Sequence, residues 1–166
     1  MRFVLRFIMK KKELQIISEY LLKRKETVAI GESVTAGLVM NHLSLAENAI
    51  SFFQGGVTAY NLGQKTRHLG VEPIYADQVN SVSERVAQQM ALEVSKLFCS
   101  HWGIGVTGYA APVPALNIKS CFAFYAFAYK GDVVSTACIN TKLKGQRNVQ
   151  EYFARKITSA FAVYLS

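Results

Sequence analysis

The sequence predicts a three-layer α/β/α sandwich on a mostly parallel mixed sheet with an antiparallel hairpin strand. Three observations carry that expectation. Short β-branched runs alternate with stretches of helical periodicity, the pattern of parallel strands joined by helical crossovers. Two late strand-like runs flank Lys130-Gly131-Asp132, which reads as an antiparallel hairpin. The first of those runs sets Phe122 and Phe124 on one face against Tyr125, Phe127 and Tyr129, so it needs helical cover on both sides. At 166 residues, 51% of them hydrophobic, the chain suits one domain with a buried core.

Each element follows from local pattern. Leu14, Ile17, Leu21 and Leu22 recur at helical spacing, which predicts an amphipathic helix from about Lys10 to Lys25. The nine residues before it are expected to be an N-terminal extension, with residues 10–166 as the single domain. Thr27 to Ile30 reads as a strand ending at Gly31, and the segment from Ser33 to about Leu45 as the next helix. Phe52 to Thr58 is the second strand, with Gly55-Gly56 marking a bulge or a close backbone approach. Asn61 is placed to cap a short helix to about Leu69. Ser81-Val-Ser-Glu84 has capping-box spacing ahead of Val86, Met90, Val94 and Leu97, which predicts a long helix. Trp102 to Val106 reads as a strand that delivers Thr107-Gly108 into a loop; the hairpin follows. Val149, Phe153, Ile157, Phe161 and Tyr164 close the chain as a helix stripe.

Composition removes several function classes. The longest apolar stretch, Cys121 to Tyr129, is too short to span a membrane. Cys99, Cys121 and Cys138 are odd in number and widely spaced, and His42, His68 and His101 are scattered, so neither a disulfide scaffold nor a metal site is expected. The opening residues lack a cleavage site and Arg6 interrupts them, so the expected location is cytoplasmic. The net charge of +8 is concentrated in residues 1–25, which carry +6. An excess on one terminal segment reads as a solvated helix face, and a nucleic-acid partner is not expected.

In a sheet of this kind ligands bind outside the carboxyl ends of parallel strands. Three loops meet that condition: Gly31 to Gly37, Ala59 to Lys65 and Thr107 to Pro114. The first, GESVTAG, would place Ser33 and Thr35 in a helix's opening turn, where free N–H groups favour an anion; Ser33 as a plain N-cap is the alternative. The second offers Tyr60 and Lys65. A lysine in an apolar pocket can act as a base toward a serine hydroxyl, whereas by spacing alone it is a solvated side chain. In the third, Thr107 and Gly108 offer a hydroxyl and an N–H to a phosphate or carboxamide, or form a turn without a ligand. Glu32 either orients a neighbour or bonds a nearby N–H, and Arg147 either reaches a phosphate or makes a helix-start ion pair.

The residues also resemble a known family, the C-terminal domain of the CinA (competence/damage-inducible) proteins, which also occurs alone as nicotinamide-nucleotide amidases. The resemblance runs from about Met9 to Leu165 through Glu32-Ser33-Val34-Thr35-Ala36-Gly37, Gly55-Gly56-Val57 with Tyr60-Asn61 and Lys65, Leu69-Gly70-Val71, Val82-Ser83-Glu84, Thr107-Gly108-Tyr109-Ala110-Ala111-Pro112 and Gly145-Gln146-Arg147. It implies hydrolysis of the carboxamide of nicotinamide mononucleotide to nicotinate mononucleotide and ammonia. By that resemblance Ser33, Lys65 and Tyr60 are catalytic, while Thr107 and Arg147 fall where substrate is held; Glu32, Thr35, Gly37, Gly56 and Gly108, from the same loops, are the further residues expected to bind substrate. The scheme requires neither a metal nor an organic cofactor. The implied partner is a small pyridine mononucleotide, and a homo-oligomer is the default assembly.

The chain departs from the family pattern. Val34 stands for a cysteine, Ala36 and Ala111 for glycines, Gln146 for an acid, and Val113-Pro114 for a glycine-rich stretch. Each lost glycine adds a Cβ where main chain is expected near a ligand. The alternative function is therefore a catalytically inactive CinA-like domain that binds a nucleotide or a protein partner.

Overall fold

The apolar runs assemble into one five-stranded sheet of order β2-β1-β3-β4-β5. The computed structural model describes residues 2–166, with side chains from residue 11 onward. The strands are β1 (Val28–Glu32), β2 (Phe53–Thr58), β3 (Trp102–Tyr109), β4 (Cys121–Tyr129) and β5 (Asp132–Thr141). The helices are α1 (Arg2–Arg24), α2 (Leu38–Ser44), α3 (Leu62–Leu69), α4 (Pro73–Gln78), α5 (Glu84–Leu97) and α6 (Gln146–Leu165). β1 runs parallel to β2 and to β3, whereas β4 is antiparallel to β3 and to β5. The first helix, expected from about Lys10, begins at Arg2, so residues 2–9 of the expected extension are its opening turns, with side chains outside the described set.

Helices cover both faces, as the aromatic pattern of β4 requires. On one face Ile17 and Leu21 of α1, Val39 and Leu43 of α2, and Val149, Phe153, Ile157 and Phe161 of α6 pack on Ile30, Ile104 and Phe127. On the other, Leu69, Val86, Met90 and Val94 pack on Ala29. α5 sits close on β3 because two strand positions lack side chains. A Cβ at Gly103 would drive into the Ala91 carbonyl, and one at Gly105 into that of Ala87. At the sheet's amino end, Glu26 is buried and accepts from Trp102 Nε1 at 2.9 Å and Tyr129 Oη at 2.7 Å. This satisfies its carboxylate and ties α1 to β3 and β4.

Several boundaries differ from expectation, each for a local reason. The helix expected from Ser33 begins five residues later, because Ala36 (φ 51°) and Gly37 (φ 93°) are left-handed and interrupt it. The cap of α5 is Ser83, whose Oγ accepts from Val86 N at 3.2 Å, and not Ser81, which is itself left-handed (φ 59°). Thr107 and Gly108 belong to β3, paired with Phe124 and Ala123, because β4 continues past the end of β1 and supplies a partner. Helix α4 was not expected; Glu72 caps it and Pro73 opens it. Asn61 caps α3 as expected, accepting from Gln64 N at 3.0 Å. The hairpin turn holds Lys130 (φ 50°) and Gly131 (φ 95°), the left-handed pair a two-residue connection needs.

Candidate functional site

The sheet register sets the site. Glu32, the last residue of β1, is the Cα partner of both Thr58 on β2 and Val106 on β3. Ser33, Ala59 and Thr107 therefore leave the row side by side. The ladder continues one step further through Ser33 N to Val106 O (3.0 Å) and Ala59 N to Glu32 O (2.8 Å). From β1 the chain crosses to β2 on one side and then returns to β3 on the other, so this edge is a topological switch point. α6 closes it. Gln150 Nε2 donates to Val34 O at 2.9 Å, and Gln146 Nε2 approaches Tyr60 Oη at 3.5 Å. Loops from three strands and the first turns of α6 thus share one sheet edge.

Within the first loop, Glu32 does the structural work. Its buried carboxylate accepts from the N–H of Met40 at 2.7 Å, Gly37 at 3.0 Å and Val39 at 3.2 Å. It thereby caps α2, whose formal cap Gly37 has no side chain. Burial pushes the Glu32 carboxyl above the usual carboxylate range, while nearby Thr35 and the three N–H groups pull it the other way. With the opening amides of α2 occupied, the donors left in this loop are the N–H groups of Val34 and Thr35, which make no hydrogen bond among the described residues. Ser33 is buried beside them and is not a helix cap. The Thr35 hydroxyl is fully buried and makes no hydrogen bond of good geometry among the described residues.

The second loop holds the most unusual side chain. Lys65, in the first turns of α3, is only 3% exposed, and among the described residues it makes neither an ion pair nor a side-chain hydrogen bond. Burial alone pulls its amine down to about 8. Tyr60, by contrast, is exposed, and among the described residues its hydroxyl reaches only Gln146. On β3 the buried Thr107 hydroxyl donates to Ser81 O at 2.7 Å, leaving its lone pairs to accept. Arg147 is exposed at the start of α6 and makes no ion pair among the described residues.

Two glycines expected at the ligand serve the protein's own packing. A Cβ at Gly56 would strike the Ile30 carbonyl and lie 2.7 Å from Met40 Sδ, and one at Gly108 would strike the Phe122 carbonyl. Sequence reasoning missed Gln150, although its position one turn beyond Gln146 marks it as the same helix face. It also missed the open amides of Val34 and Thr35, which only the capping by Glu32 reveals. Among the described residues no group of His, Cys, Asp and Glu gathers as metal ligands would, and no helix is long and apolar enough to cross a membrane.

The model of the CinA C-terminal domain matches residues 10–163. The chain belongs to that family. A CinA-like protein of Picosynechococcus is 40% identical over 97 residues, covering 58% of this chain and 23% of the relative. A CinA-like protein of Trichormus variabilis is 33% identical over 122 residues, covering 73% and 29%. The match thus spans about a quarter of those CinA-like proteins. Among solved structures, a competence or damage-inducible protein from Enterobacter asburiae superimposes with a TM-score of 0.84 at 21% identity, covering 95% of this chain and 98% of that one. A competence/damage inducible protein from Agrobacterium tumefaciens gives 0.81 at 20%, with 94% of each covered. At such identities the likeness establishes the CinA fold.

Proposed function

We propose that this CinA-family chain is an amidohydrolase that releases ammonia from the carboxamide of nicotinamide mononucleotide or a closely related small amide. The observation that carries the reading is Lys65, a buried lysine of α3, in the connection that leaves β2 next to Ser33's loop, with no ion-pair partner among the described residues. Holding such a group costs stability, and an amine near 8 is matched to proton transfer at physiological pH.

In this reading neutral Lys65 takes the Ser33 proton as Oγ bonds to the amide carbon. The N–H groups of Val34 and Thr35 hold the oxygen that becomes negative, since no acceptor among the described residues competes for them. Protonated Lys65 then delivers its proton to the leaving nitrogen as the C–N bond breaks, and ammonia departs. Water attacks the resulting ester with Lys65 again taking the proton, which returns to Ser33 as the carboxylate product leaves. Tyr60 and Arg147 line the approach from the α6 side.

The test is ammonia release from nicotinamide mononucleotide by the intact chain and by Ser33→Ala. The expected result is release by the intact chain and a loss of at least about a hundredfold in kcat in the variant. No release from either protein, or equal release from both, rejects the proposal and leaves the non-catalytic reading.

A further inference from the structure

Beside the Ser33 edge lies a cavity of about 530 Å³ between the β3–β4 connection and the β5–α6 connection. Lys119, Lys142 and Lys144 all line it, and no aspartate or glutamate is among its lining residues. Among the described residues none of the three lysines makes an ion pair. Three like charges around one hollow repel one another, and nothing in the wall offsets them. The cavity also adjoins the proposed active site: Gln146 is part of its lining and reaches Tyr60, and Ala110 in its wall follows β3 beyond Thr107.

Charge and size both bear on the occupant. A single phosphate brings at most two negative charges and fills a small part of such a volume, whereas a terminal pyrophosphate, esterified at one end only, brings three against the three lysines and fills more of it. We infer that this cavity is an anion-binding chamber able to hold two linked phosphates, so that the chain takes nucleotides carrying a terminal pyrophosphate arm in addition to the mononucleotide. The assignment of the ligand's other end to Ser33 rests on the proposed amidohydrolase reading; the chamber's anion preference does not.

The experiment is calorimetric titration with inorganic phosphate and inorganic pyrophosphate, so no turnover is required. Four proteins are compared: the intact chain, Ser33→Ala, the triple variant Lys119→Gln/Lys142→Gln/Lys144→Gln, and a control that removes equal charge from exposed positions of α1, Lys11→Gln/Lys12→Gln/Lys23→Gln. The chamber predicts pyrophosphate binding at least about tenfold tighter than phosphate. It predicts a loss of at least about tenfold in the chamber triple variant, with affinity kept in Ser33→Ala and in the α1 control. Because the three chamber lysines are exposed, their replacement is expected to leave the thermal midpoint unchanged. Equal affinity for the two anions, an unaffected chamber variant, or an equal loss in the α1 control each overturns the proposal. Absence of ammonia release with intact pyrophosphate binding rejects the amidase reading alone.

Discussion

Lys65 is where stability and chemistry pull apart. Its amine falls from 10.5 to about 8 because burial penalises the ion. Below pH 8 the folded and unfolded chains both hold the proton, and the folded state bears the full penalty. Between pH 8 and 10.5 the unfolded chain holds more protons, so stability rises with pH and the penalty fades. Lys65→Met keeps an unbranched apolar stem and removes the charge. It is expected to stabilise the fold at pH 7 by about 1–3 kcal/mol, to lose that gain progressively between pH 8 and 10.5, and to abolish ammonia release. Denaturant melts across that range check the first two effects. A variant less stable than the parent at pH 7 shows that Lys65 has a favourable partner.

At the scale of elements, the turn between β1 and α2 shows how one residue fixes a loop. Glu32 ends a strand and caps the next helix through three N–H groups, so residues 33–37 are held at both ends. Within that turn Ala36 adopts φ 51° while exposed to solvent. A Cβ in the left-handed region costs roughly 1–2 kcal/mol, part of which glycine gives back through its freer unfolded chain. Ala36→Gly should therefore raise stability by about 0.5–1 kcal/mol, read as an upward shift in thermal midpoint of a few degrees or less. A lower midpoint shows that this φ carries no strain. Sequence reading identified the loop but took it as the start of a helix. Helical propensity is spread along the segment, whereas the interruption lies in the backbone angles of two residues. The same limit explains Thr107 and Gly108, whose strand character depends on a partner segment in β4.

At the scale of the whole molecule, the alternation of strands and helices, the hairpin and the two-sided cover of β4 were legible because each rests on periodicity and turn chemistry. The convergence of Gly31–Gly37, Ala59–Lys65 and Thr107 on one edge also followed, since parallel strands in one sheet deliver their carboxyl ends together. What stayed hidden depends on contacts between distant segments. The capping of α2 by Glu32 determines which amides remain open. The Gln146 and Gln150 contacts bring α6 over the loops, and Lys119 lines the same cavity as Lys142 and Lys144 because β4 and β5 pair. The burial of Lys65 belongs with these, since spacing alone places it in solvent.

The central claim is that α3 holds a buried amine, unpaired among the described residues, that is able to be neutral near physiological pH. The most direct measurement is the titration of the Lys65 Nζ by NMR of lysine-labelled protein, its signal assigned by its disappearance in Lys65→Met. The account predicts a midpoint near 8, well below the other lysines. A midpoint near 10.5 would contradict it, because that is the value of a lysine in water or beside a counter-charge, and such a group has no special fitness as a base.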